Sequence, residues 1–403
     1  MRQRISDKIS YTWRQLAWPN KGPSETKFGL DELLSRPDIA PSVKTLCISE
    51  GSSWSAPGPG IPIFEDLQLT TDDTAWRGLF AVSNCLYIQG SDANAWQTNL
   101  DGANIMSVAA VLLTLLPNLE KISFGHLRDS TALVYMVSNI ARATYPAHWA
   151  FQYERPLSKL SSLSVNETTA ASAITGLYEA FASLPSIRSL CAESFLTMNF
   201  DHWPQRLTTS NLTHIDFKTG GLRAEDFERL LGQITFLESF KYSYCDTSIN
   251  YEPAILVGLL KIYAGHSLTD LNLELDPSSD GVIPRDNGCY VGSLRRIERL
   301  RRIRIDVSML CELRENIWVV VKLIDTLPAS VEEIRLVGEP ATEGEFRIDD
   351  LWTGLSEDAT IRLPKLSKIE VETVRRRGFE RVPMSDETRE MRRACLESGI
   401  SFR

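Results

Sequence analysis

The chain lacks the features that most readily place a protein in a membrane, outside the cell or around a metal. Its longest apolar run, Val108–Leu116, is nine residues long and broken by Thr114, far below the roughly 20 residues a membrane span requires. The opening stretch MRQRISDKISYTWRQLAWP has no apolar core of a secretory signal. Seven cysteines are dispersed with no C-x-x-C pair, a usage that points to reduced thiols in an intracellular protein of the cytoplasm or nucleus. The five histidines have no metal-ligand spacing among themselves or with cysteine. None of G-x-S-x-G, G-x-x-x-x-G-K-[ST], H-E-x-x-H or G-x-G-x-x-G occurs, so no metal, cofactor or catalytic constellation is expected and the chain reads as a non-enzyme. Positive charge is also in deficit. With 43 Lys and Arg against 52 Asp and Glu, the net charge is −9, which disfavours a role built on attraction to nucleic acid or an anionic membrane.

What the chain does have is repetition. In NLTHIDF, KTGGLRAEDFERLLGQIT and FLESFKY, two short apolar pieces flank an amphipathic segment, with Phe227, Leu230, Leu231 and Ile234 at i, i+3, i+4 and i+7. Leu212, Ile215 and Phe217 in the first piece match Leu237, Phe240 and Tyr242 in the second. The same two-anchor strand recurs as Leu46/Ile48, Leu86/Ile88, Ile122/Phe124, Leu163/Val165, Leu190/Ala192, Ile215/Phe217, Phe240/Tyr242, Leu271/Leu273, Ile303/Ile305, Ile334/Leu336, Ile369/Val371 and Ile400/Phe402. Their average spacing of about 32 residues falls in the range that marks a solenoid. Several anchors carry an apolar partner three residues earlier, as in LPNLEKISF, LSKLSSLSV and SLTDLNL.

That L-x-x-L-x-L pattern resembles leucine-rich-repeat proteins. The expected fold is an α/β solenoid of about 12 irregular repeats, with parallel strands on the concave side and helices on the convex side. The expected layout is a helical cap or linker over residues 1–40 and the solenoid over 41–403. Within KFGLDELLSRPDIAPSVKTLCISE, residues 27–50, Leu30, Leu33 and Leu34 form a helical face ended by Pro37. This segment resembles the one that follows the F-box in fungal F-box/leucine-rich-repeat proteins. The resemblance implies the substrate-recognition part of an SCF-type ubiquitin ligase; an F-box usually opens with Leu-Pro-x-Glu or Leu-Pro-x-Asp, which residues 1–26 do not contain. The alternative is a stand-alone leucine-rich-repeat interaction or regulatory protein with no ubiquitin link. GSSWSAPGPGIPIFEDLQL, by its Gly, Pro and Ser content, reads as an exposed loop.

Alternation in a strand turns the residues beside each anchor outward. The N-terminal half of that face is small and polar, with Ser123, Ser162, Ser164 and Ser189 among its members. The C-terminal half is densely charged with both signs. Candidate partner-binding residues there are His214, Asp216, Lys218, Lys241, Asp270, Asn272, Glu274, Arg302, Arg304, Asp306, Glu333, Arg335, Lys368 and Glu370, with Ser239 and Glu372 on the same face. Complementary charge on such a surface fixes the register of a partner and rejects wrong ones. The run LRRIERLRRIRID lacks the interleaved aromatics of a nucleic-acid site and is either a solvated charged face or a patch for an acidic protein segment. The expected partners are therefore proteins on the concave face, and by resemblance SCF components, with no nucleic acid, no membrane and a monomeric state.

Overall fold

The computed structural model describes residues 40–48, 109–110, 113, 116–125, 131–142, 157–165, 177–178, 180–192, 210–220, 224–244, 253–275, 290–314, 317–337, 351–372 and 386–402. These fall into two compact units, with described residues up to Leu212 in the first and those from Thr213 onward in the second.

The first unit carries β1 (Thr45–Ile48), β2 (Lys121–Phe124), helix α1 (Thr131–Arg142), β3 (Ser162–Val165) and β4 (Ser189–Ala192). β1–β2, β2–β3 and β3–β4 pair in parallel, and anchor faces anchor at each step, as in Leu46 with Ile122 and Phe124 with Val165. β1 pairs directly with β2. The place between them that the repeat period assigns to Leu86/Ile88 is therefore closed, and that pair itself lies outside the described residues, as do the expected helix at Leu30–Leu34 and the Gly/Pro-rich loop. Phe124 meets Phe181 edge to face, with ring centroids 5.9 Å apart, a contact that adds about 0.5–1.5 kcal/mol to burial alone.

The second unit runs β5 (His214–Gly220), α2 (Ala224–Leu231), β6 (Ser239–Tyr244), α3 (Pro253–Tyr263), β7 (Asp270–Leu275), β8 (Arg302–Asp306), a hairpin of β9 (Cys311–Arg314) and β10 (Ile317–Val320), the single turn α4 (Leu323–Thr326), β11 (Glu333–Val337), α5 (Leu355–Arg362), β12 (Lys368–Glu372), α6 (Asp386–Glu397) and β13 (Ser401–Phe402). All strands except the hairpin form one parallel succession, β5 to β8 and then β11 to β13. The expected face of α2 is the buried one, since Phe227, Leu230 and Leu231 are each about 1% exposed and Ile234, just past the helix end, 6%. Phe227 packs edge to face on Phe240 and Tyr242, at 6.1 and 5.3 Å. α6 ends before Gly399, whose φ of 79° is the left-handed conformation that glycine supplies at a helix C-terminus.

Both units are therefore stretches of an α/β solenoid of the leucine-rich-repeat type. The residue three before the first anchor is buried in each repeat whose anchors pair, from Val43 and Leu119 to Val331 and Leu366. Two details depart from expectation. Phe402 stands opposite Ile369, the first anchor of its neighbour, so the last anchor pair is shifted by two positions and Ile400 is buried ahead of the strand. Between β8 and β11 an antiparallel hairpin and α4 occupy the place of a full helix.

The repeats are joined by one recurring backbone step. At most steps a carbonyl just before the strand accepts two N–H groups from the next repeat, as Glu238 O does from Thr269 and Asp270, and Thr269 O from Arg301 and Arg302. Hydroxyls reinforce it. Ser161, Thr269 and Ser367, two residues before their first anchors, donate to Glu120, Glu238 and Glu332 carbonyls. Ser186, Ser267 and Ser330, four residues before theirs, donate to the carbonyls of Leu157, Leu237 and Leu300. Each such bond adds about 0.5–1.5 kcal/mol to the join between neighbouring repeats.

Candidate protein-recognition face

Because neighbouring strands of the second unit are paired in register, its outward residues line up in rows across the sheet. One row reads His214, Ser239, Asp270, Arg302, Glu333, Lys368 and Ser401; the next reads Asp216, Lys241, Asn272, Arg304, Arg335 and Glu370. From Asp270 to Lys368 the first row alternates in sign at every strand. Strands lie about 4.8 Å apart, within reach of an Asp or Glu paired with an Arg or Lys. The charges do pair. Asp270 binds Arg302, and Lys241 lies 3.7 Å from Asp216. Arg304 pairs with Glu274 and, at 3.2 Å, with Glu372. Arg335 pairs with Glu372 at 2.9 Å and Glu370 at 3.8 Å, and Lys368 with Glu370 at 2.9 Å.

Arg304 and Arg335 stand side by side in the second row, and Glu372 between them offsets the like charge. The Arg304 Nε faces Glu274 without hydrogen-bond geometry, whereas its Nη2 donates to Glu274 Oε2 at 3.2 Å. Burial works to raise the Asp270 carboxyl. Hydrogen bonds from Arg302 and Thr269, with the charges of Arg302 and His214, outweigh that and hold it below its ordinary value. The same contact raises the Arg302 guanidinium.

Thirteen residues of this face, Ser239, Lys241, Asp270, Leu271, Asn272, Arg302, Ile303, Arg304, Glu333, Ile334, Arg335, Lys368 and Glu370, line an open trough of about 330 Å³. The Asn272 Oδ1 is buried in its wall and meets no hydrogen-bond donor among the described residues. Of the expected binding residues, the trough brings together Lys241, Asp270, Asn272, Arg302, Arg304, Glu333, Arg335, Lys368 and Glu370. His214, Asp216, Lys218 and Glu274 lie outside its lining. His214 is exposed, its Nδ1 2.8 Å from the Thr213 hydroxyl, and Lys218 is exposed on β5.

Asp306 requires a correction. Strand parity turns it outward, but it is only 6% exposed. Its carboxylate accepts from the Ser308 N–H at 2.9 Å and the Ser308 hydroxyl at 2.7 Å, capping the short 3₁₀ turn Val307–Leu310. It is a structural cap, since Asp and Ser favour such local bonds at helix starts. Ser239 and Glu372, placed on this face by strand parity but outside the candidate set, take part in it. Ser239 lies buried in the trough floor and Glu372 holds both arginines. Thr269 is a third, donating to Asp270 Oδ2 at 2.7 Å; its only sequence signal is its place directly before the strand.

Among the described residues no three His, Cys, Asp or Glu side chains converge as metal ligands, and no helix is long and apolar enough to cross a membrane. No protein-family model matches the sequence, and no curated protein matches it. Among solved structures, the crystal structure of the Rad7 and Elc1 complex in yeast is similar over 68% of this chain and 69% of that chain, at 14% identity and a TM-score of 0.35. A likeness that distant carries no information about ligand or activity.

Proposed function

We propose that the chain is a non-enzymatic protein-recognition scaffold that takes its partner on the open sheet face of the second unit. The observation that supports this reading is the trough walled by charges already fixed by their cross-strand pairs. A partner meets a surface that loses little side-chain entropy on binding. The two ends of the alternating row differ in sign, so the surface fixes the partner's orientation as well as its position. The resemblance of residues 27–50 and of the repeats to F-box/leucine-rich-repeat proteins supports the finer reading, substrate selection for an SCF-type ubiquitin ligase, in which an adaptor of the Skp family and a cullin join the complex.

The test is affinity capture with the full chain beside the double reversal Lys241→Glu with Glu333→Lys. Among the described residues Lys241 is exposed and held only by Asp216, and Glu333 is exposed with no ion pair. Reversing Arg304 would be a poor probe, because Glu274 and Glu372 would then face a third carboxylate. Loss of the captured proteins with unchanged circular dichroism is the expected result. Undiminished capture would remove the trough from the binding site. Recovery of a Skp-family adaptor with a cullin supports the ligase role, and recovery of other proteins without them makes the chain a free-standing scaffold.

A further inference from the structure

Helix α3 carries a second surface, on the helical side of the second unit and independent of the trough. Its sequence, PAILVGLLKIY, is apolar almost all round, and such a helix is ordinarily buried on every side. Here one side is buried, through Leu256, Val257 and Leu260, each at most 1% exposed. The opposite side is open. Ile255 is 43% and Ile262 70% exposed, and Leu259 and Gly258 between them are partly exposed. These four positions, i, i+3, i+4 and i+7, form one stripe. A Cβ built on Gly258 would meet nothing within 4 Å, so the middle of the stripe admits a close approach.

The two flanks of the stripe differ. On one side α2 packs against α3, with the Tyr263 hydroxyl donating to Glu228 at 3.2 Å. On the other lies the stretch 290–300, where the described residues form no helix. Lys261 faces that stretch, and a Cβ at Gly292 would stand 3.9 Å from its Nζ. Burial, and then the Arg296 charge, lower the Lys261 pKa. Arg296 and Arg299 are exposed, and none of these three cations has an ion-pair partner among the described residues; Glu298 between the arginines forms no pair either. Arg295 differs, being tied to Asp325 at 3.3 Å. In a chain of net charge −9, an exposed apolar stripe bordered by three unpaired cations is a local reversal of character.

We propose that the outer face of α3 docks an acidic amphipathic helix of a partner protein, its apolar residues laid along Ile255, Leu259 and Ile262 and its carboxylates directed at Lys261, Arg296 and Arg299. Helix-in-groove recognition reads such i, i+3, i+4 and i+7 anchors, and charge complementarity selects the acidic partner. A second copy of this chain fits poorly. A two-fold contact would set the same cations against one another. A membrane fits poorly as well, because interfacial helices sink their whole apolar face about 5–10 Å into lipid, whereas half of the α3 apolar surface is in the core.

The experiment uses the full chain and two short labelled helical peptides with the same leucine stripe, one flanked by Glu and the other by Lys, read by fluorescence anisotropy. The Glu peptide is expected to bind, with the Lys peptide at least about tenfold weaker. Ile262→Asp should abolish binding, and Arg296→Glu with Arg299→Glu should erase the preference for Glu. Ile262 is exposed enough for its variant to fold, which circular dichroism checks, and the trough variant Lys241→Glu with Glu333→Lys should bind the peptide as the parent does. Equal affinity for both peptides, no saturation with either, or binding that survives Ile262→Asp would overturn the proposal. So would binding to phosphatidylserine vesicles, or self-association in sedimentation, that Ile262→Asp removes while the peptides fail to bind.

Discussion

The open faces of the two units differ although the strands beneath them are built alike. In the first unit the rows read Lys121, Ser162, Ser189 and Ser123, Ser164, Cys191. In the second, the corresponding rows hold Asp270, Arg302, Glu333 and Lys368, and beside them Lys241, Arg304, Arg335 and Glu370. Backbone steps and hydroxyl bonds between repeats recur in both. The difference therefore lies in side-chain charge. A carboxylate and a guanidinium on neighbouring strands about 4.8 Å apart meet easily and carry full charges, which serines do not. The face of the second unit is ordered by ion pairs that run across its strands.

The largest effect should show that the cores, unlike the faces, are equivalent. Phe181→Ala in the first unit and Phe227→Ala in the second, each fully buried against another aromatic ring, should each cost about 3–5 kcal/mol in chemical denaturation. A much smaller loss in either would break the parity. A middle effect should expose the contrast. Arg304→Ala leaves Glu274 and Glu372 without their shared cation and should cost about 1–3 kcal/mol, whereas Ser123→Ala, a row position of the first unit, should stay within about 0.5 kcal/mol. Equal losses would mean that the ion pairs contribute nothing. The smallest effect is a pH dependence. Asp270 is held below its ordinary value of 3.8 in the folded state, so the stability it contributes is complete at neutral pH and is lost as pH falls below about 4 through the folded value. Unfolding midpoints of the parent against Asp270→Asn should converge on acidification; a constant gap would remove Asp270 from the network.

Much of this was legible in the sequence because leucine-rich repeats write their core at fixed spacing. The apolar residue three before the first anchor and the first anchor itself are buried in the paired repeats from Val43 and Leu46 onward, and α2 lies where helical periodicity places it. The candidate face was legible as a set of positions, since period-two alternation needs only the anchors. Its pairing was not, because which carboxylate meets which cation depends on strand order and register. Asp306 escaped for another reason. Parity assigns it outward, but Ser308 offers a local bond that turns its carboxylate back to the chain. The hairpin Cys311–Val320 escaped because CELRENIWVV holds too short an apolar pattern to separate strand from helix.

The serines and threonines that precede the strands bear on how such a chain can change over time. Each reaches a carbonyl of the repeat before it, 29 to 41 residues away, so stability accumulates step by step between neighbours. A repeat that keeps its pre-strand hydroxyl and its incoming carbonyl can exchange everything between them. The segment between β8 and β11 illustrates this tolerance. It holds a hairpin and a single helical turn where the repeats of α2 and α3 hold a helix, yet Ser330 still reaches Leu300 and Glu332 and Glu333 still reach Arg301. Novelty in this architecture is thus modular: whole inserts can be traded at the helical side while the strands keep count.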